Sequence, residues 1–210
     1  MKLQLALDDI TIEGAIALLE QVKDYVDVVE VGTPMVIEYG MVPVRIIKER
    51  FPHLEVLADL KIMDAGYYES EEALKAGADY ITVLGVTDNL TIKGCVDAAK
   101  DYHAQVVVDM ICVGNMEERI KKMEELGVDY VSVHVGVDQQ AAGRTPLDDL
   151  KIMTKTVTTS KVSVAGGINT ETIPSYKALN PDIVIVGSGI THAKDPKTAA
   201  KAIHDALQGA

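Results

Sequence analysis

A six-residue pattern occurs four times in this chain, as Val26-Asp27-Val28-Val29-Glu30-Val31, Ala78-Asp79-Tyr80-Ile81-Thr82-Val83, Val128-Asp129-Tyr130-Val131-Ser132-Val133 and Pro181-Asp182-Ile183-Val184-Ile185-Val186. Each copy starts with a small residue or proline and an aspartate, and continues with four mostly β-branched residues. The aspartates lie 52, 50 and 53 residues apart. Short segments that are rich in Val and Ile and apolar almost throughout are typical of strands buried on both faces.

A second series of apolar segments lies between these copies. It comprises residues 3–8, 54–61, 105–110 and 161–165, and three members carry an aspartate near the C-terminal end: Asp8, Asp59 and Asp109. Together the two series predict eight strands, one about every 25 residues, which leaves room for one helix and two short loops between strands. Helix starts are indicated at Thr11, at Asn115, at Asp195-Pro196, and at Thr33, which we interpret as an N-cap followed by proline at the first helical position.

Eight alternating strand–helix units predict one domain, a (β/α)8 TIM barrel over residues 1–210. The usual barrel has about 250 residues, so this would be a compact version with few insertions. The alternative is an open doubly wound sheet, which more often has five or six strands.

Composition and charge indicate which kinds of protein and partner the sequence favours. Hydrophobic residues make up 48% and charged residues 25% of the 210 residues, the balance of a globular chain. With 32 acidic and 20 basic side chains the formal charge is −12, which disfavours nucleic acid and anionic membranes as partners. Cys95 and Cys112 form no C-x-x-C pair, which favours a reducing cytoplasm. The acidic N-terminal segment does not resemble a signal peptide, and no long uncharged apolar run predicts a membrane span.

The C-terminal ends of the predicted strands collect polar residues. In a barrel, these ends and the loops after them form the active site. A single carboxylate there would most simply cap a helix or meet solvent. Five acids, a lysine and a histidine on one rim instead indicate chemistry, because a structural core avoids that many charges. The residues are Asp8, Glu30, Asp59, Lys61, Asp64, Asp109 and His134.

The segment Asp59-Leu60-Lys61-Ile62-Met63-Asp64 is the most informative of these. Asp59 and Lys61 are two residues apart on a predicted strand, so both side chains should point to the same face. A purely structural ion pair is the alternative interpretation. Glu30 ends the neighbouring strand, and two adjacent carboxylates suit Mg²⁺, although Lys61 could supply the positive charge instead.

Two glycine-containing segments follow the predicted strands seven and eight, where barrels commonly bind phosphate through backbone N–H groups and a helix N-terminus. Glycine pairs also form plain turns, but their position after these two strands predicts a phosphate site at Gly166, Gly167, Gly187 and Ser188. His134 ends strand six. A lone histidine is often structural, but this one would face the barrel mouth and could shuttle a proton.

The segment from Asp59 to Asp64 resembles the D-x-K-x-x-D signature of the orotidine monophosphate decarboxylase superfamily, and the resemblance covers the whole chain. Within it the chain most resembles the 3-hexulose-6-phosphate synthase family, whose closest relative is the 3-keto-L-gulonate-6-phosphate decarboxylase family. The decarboxylases typically have glutamate, arginine, threonine and arginine at four positions where this chain has Asp109, Val137, Ala165 and Ser188. These departures favour the synthases.

The resemblance implies the reversible aldol addition of formaldehyde to D-ribulose 5-phosphate, through an enediolate stabilised by Mg²⁺, or by Mn²⁺ as a substitute. It implies Glu30 and Asp59 as metal ligands, Lys61 as a second positive charge, and His134 as the base, with Lys61 or Asp64 as alternatives. Asp109 and Asp8 would be positioning groups. Asp64 would enter the active site of a neighbouring subunit in a homodimer. A catalytically inactive barrel that binds a sugar phosphate as a regulator is the alternative from a different class.

Overall fold

The eight predicted strands form a closed parallel barrel in sequence order, as seen in a computed structural model that describes residues 1–209. The prediction of a barrel is therefore confirmed, and the alternative of an open sheet is excluded. Position 210 of the predicted range lies outside the described residues. The strands are β1 Lys2–Leu7, β2 Val28–Val31, β3 Glu55–Ile62, β4 Tyr80–Leu84, β5 Gln105–Asp109, β6 Tyr130–His134, β7 Lys161–Ala165 and β8 Ile183–Val186.

Helices follow every strand and cover the outside of the barrel. They are α1 Ile12–Val22, α2 Thr33–Tyr39, α3 Val42–Arg50, α4 Gly66–Lys75, α5 Asn89–Asp101, α6 Met116–Leu126, α7 Val137–Ala141, α8 Leu147–Thr156, α9 Ile173–Lys177, α10 Ser188–Thr191 and α11 Pro196–Gln208. Within the described part of the chain, none of them combines the length and apolar character needed to cross a membrane.

Three of the four predicted helix starts are confirmed by N-cap hydrogen bonds. The side chains of Thr11, Asn115 and Asp195 each accept a hydrogen bond from a backbone N–H of the first turn. The fourth prediction is wrong, because Gly32 is the N-cap of α2 and the Thr33 hydroxyl donates to Asp59 instead.

Side chains alternate between the two faces of the barrel wall. Outward residues such as Leu5, Val29 and Val131 pack under the helices in one large hydrophobic core. The inward apolar residues form a separate plug in the lower half of the barrel: Val28, Leu57, Tyr80, Val107, Tyr130 and Ile183. Not every strand contributes to the plug, since β1 and β7 place the buried polar residues Gln4 and Ser163 in the barrel interior. Above the plug the inward side chains become polar, so the barrel has a polar mouth.

The aspartates of the repeat have a structural role. Asp27, Asp79, Asp129 and Asp182, called here the latch aspartates, lie at the N-terminal ends of β2, β4, β6 and β8. Each carboxylate accepts a backbone N–H from the preceding strand, at 2.7–2.8 Å; the donors are Leu3, Val56, Val106 and Val162. The repeat therefore joins the strands in four pairs, at the end of the barrel opposite the polar mouth.

Candidate active site

A cavity of about 710 Å³ opens at the C-terminal ends of the strands. The structure brings ten of the eleven predicted site residues together around it: Asp8, Glu30, Asp59, Lys61, Asp109, His134, Gly166, Gly167, Gly187 and Ser188. Asp64 does not line it. That side chain is exposed, and it accepts a hydrogen bond from the backbone N–H of Ala65 at 2.7 Å.

Lys61 and Asp59 form the ion pair that their spacing predicts, but not on a regular strand. Lys61 Nζ lies 2.5 Å from Asp59 Oδ2 and 3.4 Å from Asp109 Oδ2. The register between β3 and β4 shifts between Ala58 and Ile62, and Lys61 has a φ of +48°. Non-glycine residues rarely adopt this left-handed backbone conformation, and it is often found at functional sites. The assumption of simple strand alternation is therefore wrong, although the predicted pair exists.

Two threonines that the sequence analysis missed hold the Asp59 carboxylate. Thr82 Oγ1 donates to Asp59 Oδ1 at 2.8 Å, and Thr33 Oγ1 lies 2.8 Å from Asp59 Oδ2. A signal for Thr82 existed in the sequence. It occupies the fifth position of its copy of the repeat, as Glu30 and Ser132 do in theirs, and all three line the cavity.

The surroundings of Glu30 disfavour the ionised form of its carboxyl group. Burial and the nearby carboxylates of Asp59 and Asp8 raise the pKa of Glu30 to about 8, against the effect of a hydrogen bond from Gln4 Nε2 at 2.5 Å. Burial and then Asp59 also raise the pKa of Asp8. Three carboxylates at the ends of β1, β2 and β3 therefore repel one another.

Lys61 is the positive counterpart of these acids. Burial opposes its charged form, but the carboxylates of Asp59 and Asp109 outweigh that effect and raise the pKa of Lys61. The side chain is therefore an ammonium ion at neutral pH. It is the one lysine or arginine among the described residues that line the cavity.

The residues present fit a hard divalent cation by their chemistry. Within residues 1–209 no group of three or more His, Cys, Asp or Glu side chains surrounds a common metal position. Mg²⁺, however, is usually held by one or two carboxylates together with water and substrate oxygens. Glu30 and Asp59 supply two carboxylates, and a cation would relieve the repulsion that raises the pKa of Glu30.

Asp109 and His134 form a second hydrogen-bonded unit. Asp109 Oδ2 lies 2.8 Å from His134 Nδ1, and Asp109 Oδ1 accepts the backbone N–H of Ile111 at 2.9 Å. Burial alone would raise the pKa of Asp109, but the hydrogen bond with His134 lowers it. An ionised Asp109 favours the tautomer with the proton on Nδ1, so Nε2 is left to accept a proton from a ligand.

The glycines after β7 adopt backbone conformations that suit glycine. Gly166 has a φ of +125° and Gly167 a φ of +66°, and a Cβ on Gly166 would lie 2.9 Å from the carbonyl oxygen of Val135. Gly187 has more room, since its nearest neighbours would lie 3.7 Å from an added Cβ. Backbone therefore lines this side of the cavity.

One histidine away from the strand ends also reaches the cavity. His192 is exposed, but it also lines the cavity rim, where its Nε2 lies 3.0 Å from Asp9 Oδ2. Both side chains were absent from the predicted site, because neither stands at the end of a strand.

Comparison with known proteins identifies the family of the chain. The family model described as orotidine 5'-phosphate decarboxylase / HUMPS matches residues 1–203. The chain belongs to this family. The 3-hexulose-6-phosphate synthase of Bacillus subtilis (strain 168) is 51% identical over 210 residues, which is 100% of both chains.

Solved structures of family members have the same fold. The structure of 3-hexulose-6-phosphate synthase from Salmonella typhimurium is 53% identical, with a TM-score of 0.98 over 100% of this chain and 99% of that one. The 3-keto-L-gulonate-6-phosphate decarboxylase from Vibrio cholerae is 27% identical, with a TM-score of 0.87 over 99% of this chain and 97% of that one. The resemblance to the superfamily, based on residues 59–64, is therefore confirmed, and so is the closer resemblance to the synthases.

Proposed function

We propose that this chain is a 3-hexulose-6-phosphate synthase, an aldehyde-lyase that joins formaldehyde to D-ribulose 5-phosphate and catalyses the reverse cleavage. The observation that carries the proposal is the arrangement of Lys61 between Asp59 and Asp109, beside His134, in one cavity. An ammonium group and a positioned base together are what the removal of a proton next to a carbonyl requires.

The sugar phosphate would span the cavity. Its phosphate would lie at Gly166, Gly167, Gly187 and Ser188, where backbone N–H groups can donate to it and where barrels commonly hold phosphate. Its C1 and C2 would then lie toward Lys61 and His134, at the ends of β3 and β6. Glycine backbone lines the part of the mouth after β7 and β8, and charged side chains line the part formed by the other strands, which supports this orientation.

Two chemical steps follow from these residues. His134 Nε2 accepts the C1 proton, while Asp109 holds the ring by Nδ1 and stabilises the imidazolium. The Lys61 ammonium stabilises the negative charge that develops on the sugar oxygens. The C1 carbon then attacks the formaldehyde carbon, so that a carbon–carbon bond forms and the C2 carbonyl of the sugar re-forms. The formaldehyde oxygen takes up the proton that His134 had accepted.

We propose Mg²⁺, with Mn²⁺ as a substitute, as the cofactor, with Glu30 and Asp59 as its ligands. When bound it would supply a Lewis acid beside Lys61. Asp8, at the end of β1, would change the net charge around these two carboxylates by gaining or losing a proton. Burial and then Asp59 raise the pKa of Asp8.

We further propose a homodimer in which Asp64 acts in the partner's cavity. Asp64 is exposed and lies outside the cavity of its own chain. Large apolar side chains near it in sequence and in the first turn of α5 are also exposed: Met63 by 54%, Tyr68 by 65% and Leu90 by 85%. Exposed apolar residues of this size are typical of an interface. A cytoplasmic location remains part of the proposal.

The competing function is the decarboxylation of 3-keto-L-gulonate 6-phosphate. Val137, where those enzymes typically have arginine, is 80% exposed at the cavity rim and brings no charge to it. Ser188 likewise brings no charge to the phosphate side. Both residues support the synthase.

A pair of assays tests the proposal. The purified chain, supplied with Mg²⁺, should consume D-ribulose 5-phosphate only when formaldehyde is present, and a chelator should abolish this activity. The Lys61→Ala variant should be inactive, whereas Lys121→Ala, which changes an exposed lysine outside the cavity, should be fully active. Faster release of carbon dioxide from 3-keto-L-gulonate 6-phosphate would favour the decarboxylase. Tight binding of the sugar phosphate without turnover would favour a regulator.

A further inference from the structure

Thr82 contacts both members of the ion pair at the cavity, although it carries no charge itself. It lies on β4, is 5% exposed, and faces the barrel interior. Its Oγ1 donates to Asp59 Oδ1 at 2.8 Å and accepts the backbone N–H of Lys61 at 2.9 Å. A hydroxyl has one donor and two acceptor positions, so it can make both hydrogen bonds at once.

The second of these bonds compensates for the irregularity of β3. In a regular parallel pair, backbone N–H groups of one strand donate to carbonyl groups of the other. Between Ala58 and Ile62, β3 advances by four residues while its partners on β4, Ile81 and Val83, are two apart. The N–H of Lys61 donates to the Thr82 side chain within this interval. The hydroxyl therefore satisfies a donor that the shifted register has removed from the ladder.

The first bond fixes the direction of the Asp59 carboxylate. Oδ1 accepts from Thr82, while Oδ2 lies within hydrogen-bonding distance of Thr33 Oγ1 and Lys61 Nζ. Removal of the Thr82 hydroxyl would leave one buried carboxylate oxygen and one partly buried N–H without this partner at the same time. Polar groups that are shielded from water and unpaired destabilise the folded chain, so the local backbone would rearrange to find partners.

We infer that Thr82 is a positioning residue, which holds the left-handed backbone at Lys61 and the orientation of Asp59 through one hydroxyl. The kinetic part of this inference rests on the proposed function, but its structural part does not. The phosphate side of the cavity is on β7 and β8, across the barrel, and Thr82 makes no hydrogen bond to it.

A set of three variants separates the hydroxyl from the packing of the side chain. Thr82→Val keeps the shape and removes the hydroxyl, Thr82→Ser keeps the hydroxyl, and Thr82→Ala is the substitute if the valine variant does not fold. Ser163→Ala is the matched control, because Ser163 is a buried hydroxyl inside the barrel, outside the cavity lining, and its Oγ has no partner among the described residues.

We expect the loss of the Thr82 hydroxyl to lower kcat while KM changes little. Thr82→Val should lower kcat by about 10-fold to 100-fold and leave the KM for D-ribulose 5-phosphate within about twofold, since the group acts on the reacting end and not on uniform binding. Thr82→Ser should retain most of kcat, and Ser163→Ala all of it. A wild-type kcat in Thr82→Val, equal losses in the valine and serine variants, or an equal loss in Ser163→Ala would overturn the inference.

Amide hydrogen exchange gives a readout that needs no substrate. The Lys61 N–H should be protected in the wild-type protein and in Thr82→Ser, and should exchange at least about tenfold faster in Thr82→Val, because its acceptor is lost. Unchanged protection in Thr82→Val would overturn the inference even if the chain had a different activity. If the wild-type protein has no synthase activity but protection is lost as expected, the proposed function fails and the positioning role stands.

Discussion

At the scale of single residues, the orientation of His134 gives a direct test of its role. Asp109 holds Nδ1, so Nε2 is the nitrogen that would take the C1 proton. Protein, Mg²⁺ and D-ribulose 5-phosphate in deuterated water should exchange that proton without formaldehyde, and His134→Asn should slow the exchange by about 10²-fold or more. His103→Asn, which changes an exposed histidine outside the cavity, is the control. Exchange at the wild-type rate in His134→Asn would leave Lys61 or Asp64 as the base.

The raised pKa of Glu30 predicts how cation binding depends on pH. A carboxyl group whose pKa is raised by folding stabilises the protein at low pH, and this contribution is lost as pH rises from the ordinary value of 4.5 to about 8. A divalent cation competes with the proton at Glu30. Added Mg²⁺ should therefore raise the Tm of chelator-treated protein more at pH 8.5 than at pH 6.

The matched variant for this experiment is Glu30→Gln. It keeps the shape of the side chain but can carry no charge, so the effect of Mg²⁺ on Tm should be small at both pH values. Equal effects of Mg²⁺ on the wild-type protein at pH 6 and pH 8.5 would contradict the assignment of Glu30 as a ligand.

At the scale of strands and helices, the latch aspartates should affect the stability of the barrel and not the rate of the catalysed reaction. Asp129→Ala removes the acceptor for the backbone N–H of Val106 and should lower the free energy of unfolding by about 1–3 kcal/mol. Asp129→Asn keeps an acceptor oxygen and should lose less. Urea unfolding measures both, and kcat at a temperature well below Tm should be unchanged. A fall in kcat with unchanged stability would argue against the latch role.

The loop after β8 provides a test of the phosphate site. The space around Gly187 accepts a Cβ, so Gly187→Val should fold, while its methyl groups would block the approach of a phosphate to the backbone N–H groups. The KM for D-ribulose 5-phosphate should rise by roughly tenfold or more, equivalent to about 1.4 kcal/mol of binding. Gly114→Val, at an open position outside the cavity, is the control. An unchanged KM would place the phosphate elsewhere.

Some features of the strands and helices could be predicted from the sequence, and others could not. Strand positions and three N-caps follow from local patterns, since burial and capping depend on neighbouring residues. The conformation of Lys61 could not be predicted in this way, because it depends on a hydroxyl 21 residues away on β4. Thr33 was misassigned for a related reason: the same hydroxyl could serve a helix start or Asp59, and only the fold brings Asp59 within reach.

The exact start of the strands in the repeat could not be predicted from the sequence either. Its first two residues were predicted to belong to each strand, but the observed β2, β4, β6 and β8 begin after the aspartate. The charged residues at the mouth were correctly grouped, because the C-terminal ends of all barrel strands meet at one face. His192 and Asp9 were missed, since they lie in loops whose course no strand pattern determines.

At the scale of the whole molecule, a mixing experiment tests the proposed homodimer. Lys61→Ala and Asp64→Asn should each be inactive, since each variant damages every site. In a hybrid dimer, one site would receive both intact residues and the other neither. A mixture that exchanges subunits freely should regain about a quarter of the wild-type activity, because half of its dimers are hybrids with one intact site. Sedimentation as a monomer, or no recovery after exchange, would contradict the shared site.

The latch aspartates also make some divisions of the barrel less disruptive than others. Their side-chain bonds join β1 to β2, β3 to β4, β5 to β6 and β7 to β8, and each bond lies within one pair. A chain opened at the exposed loop residue His103 would give halves of two complete pairs each. A chain opened at Gly77 would separate Asp79 from Val56. For circular permutation or a split-protein design, the boundaries between pairs are therefore the places where new termini leave all four side-chain bonds within continuous segments.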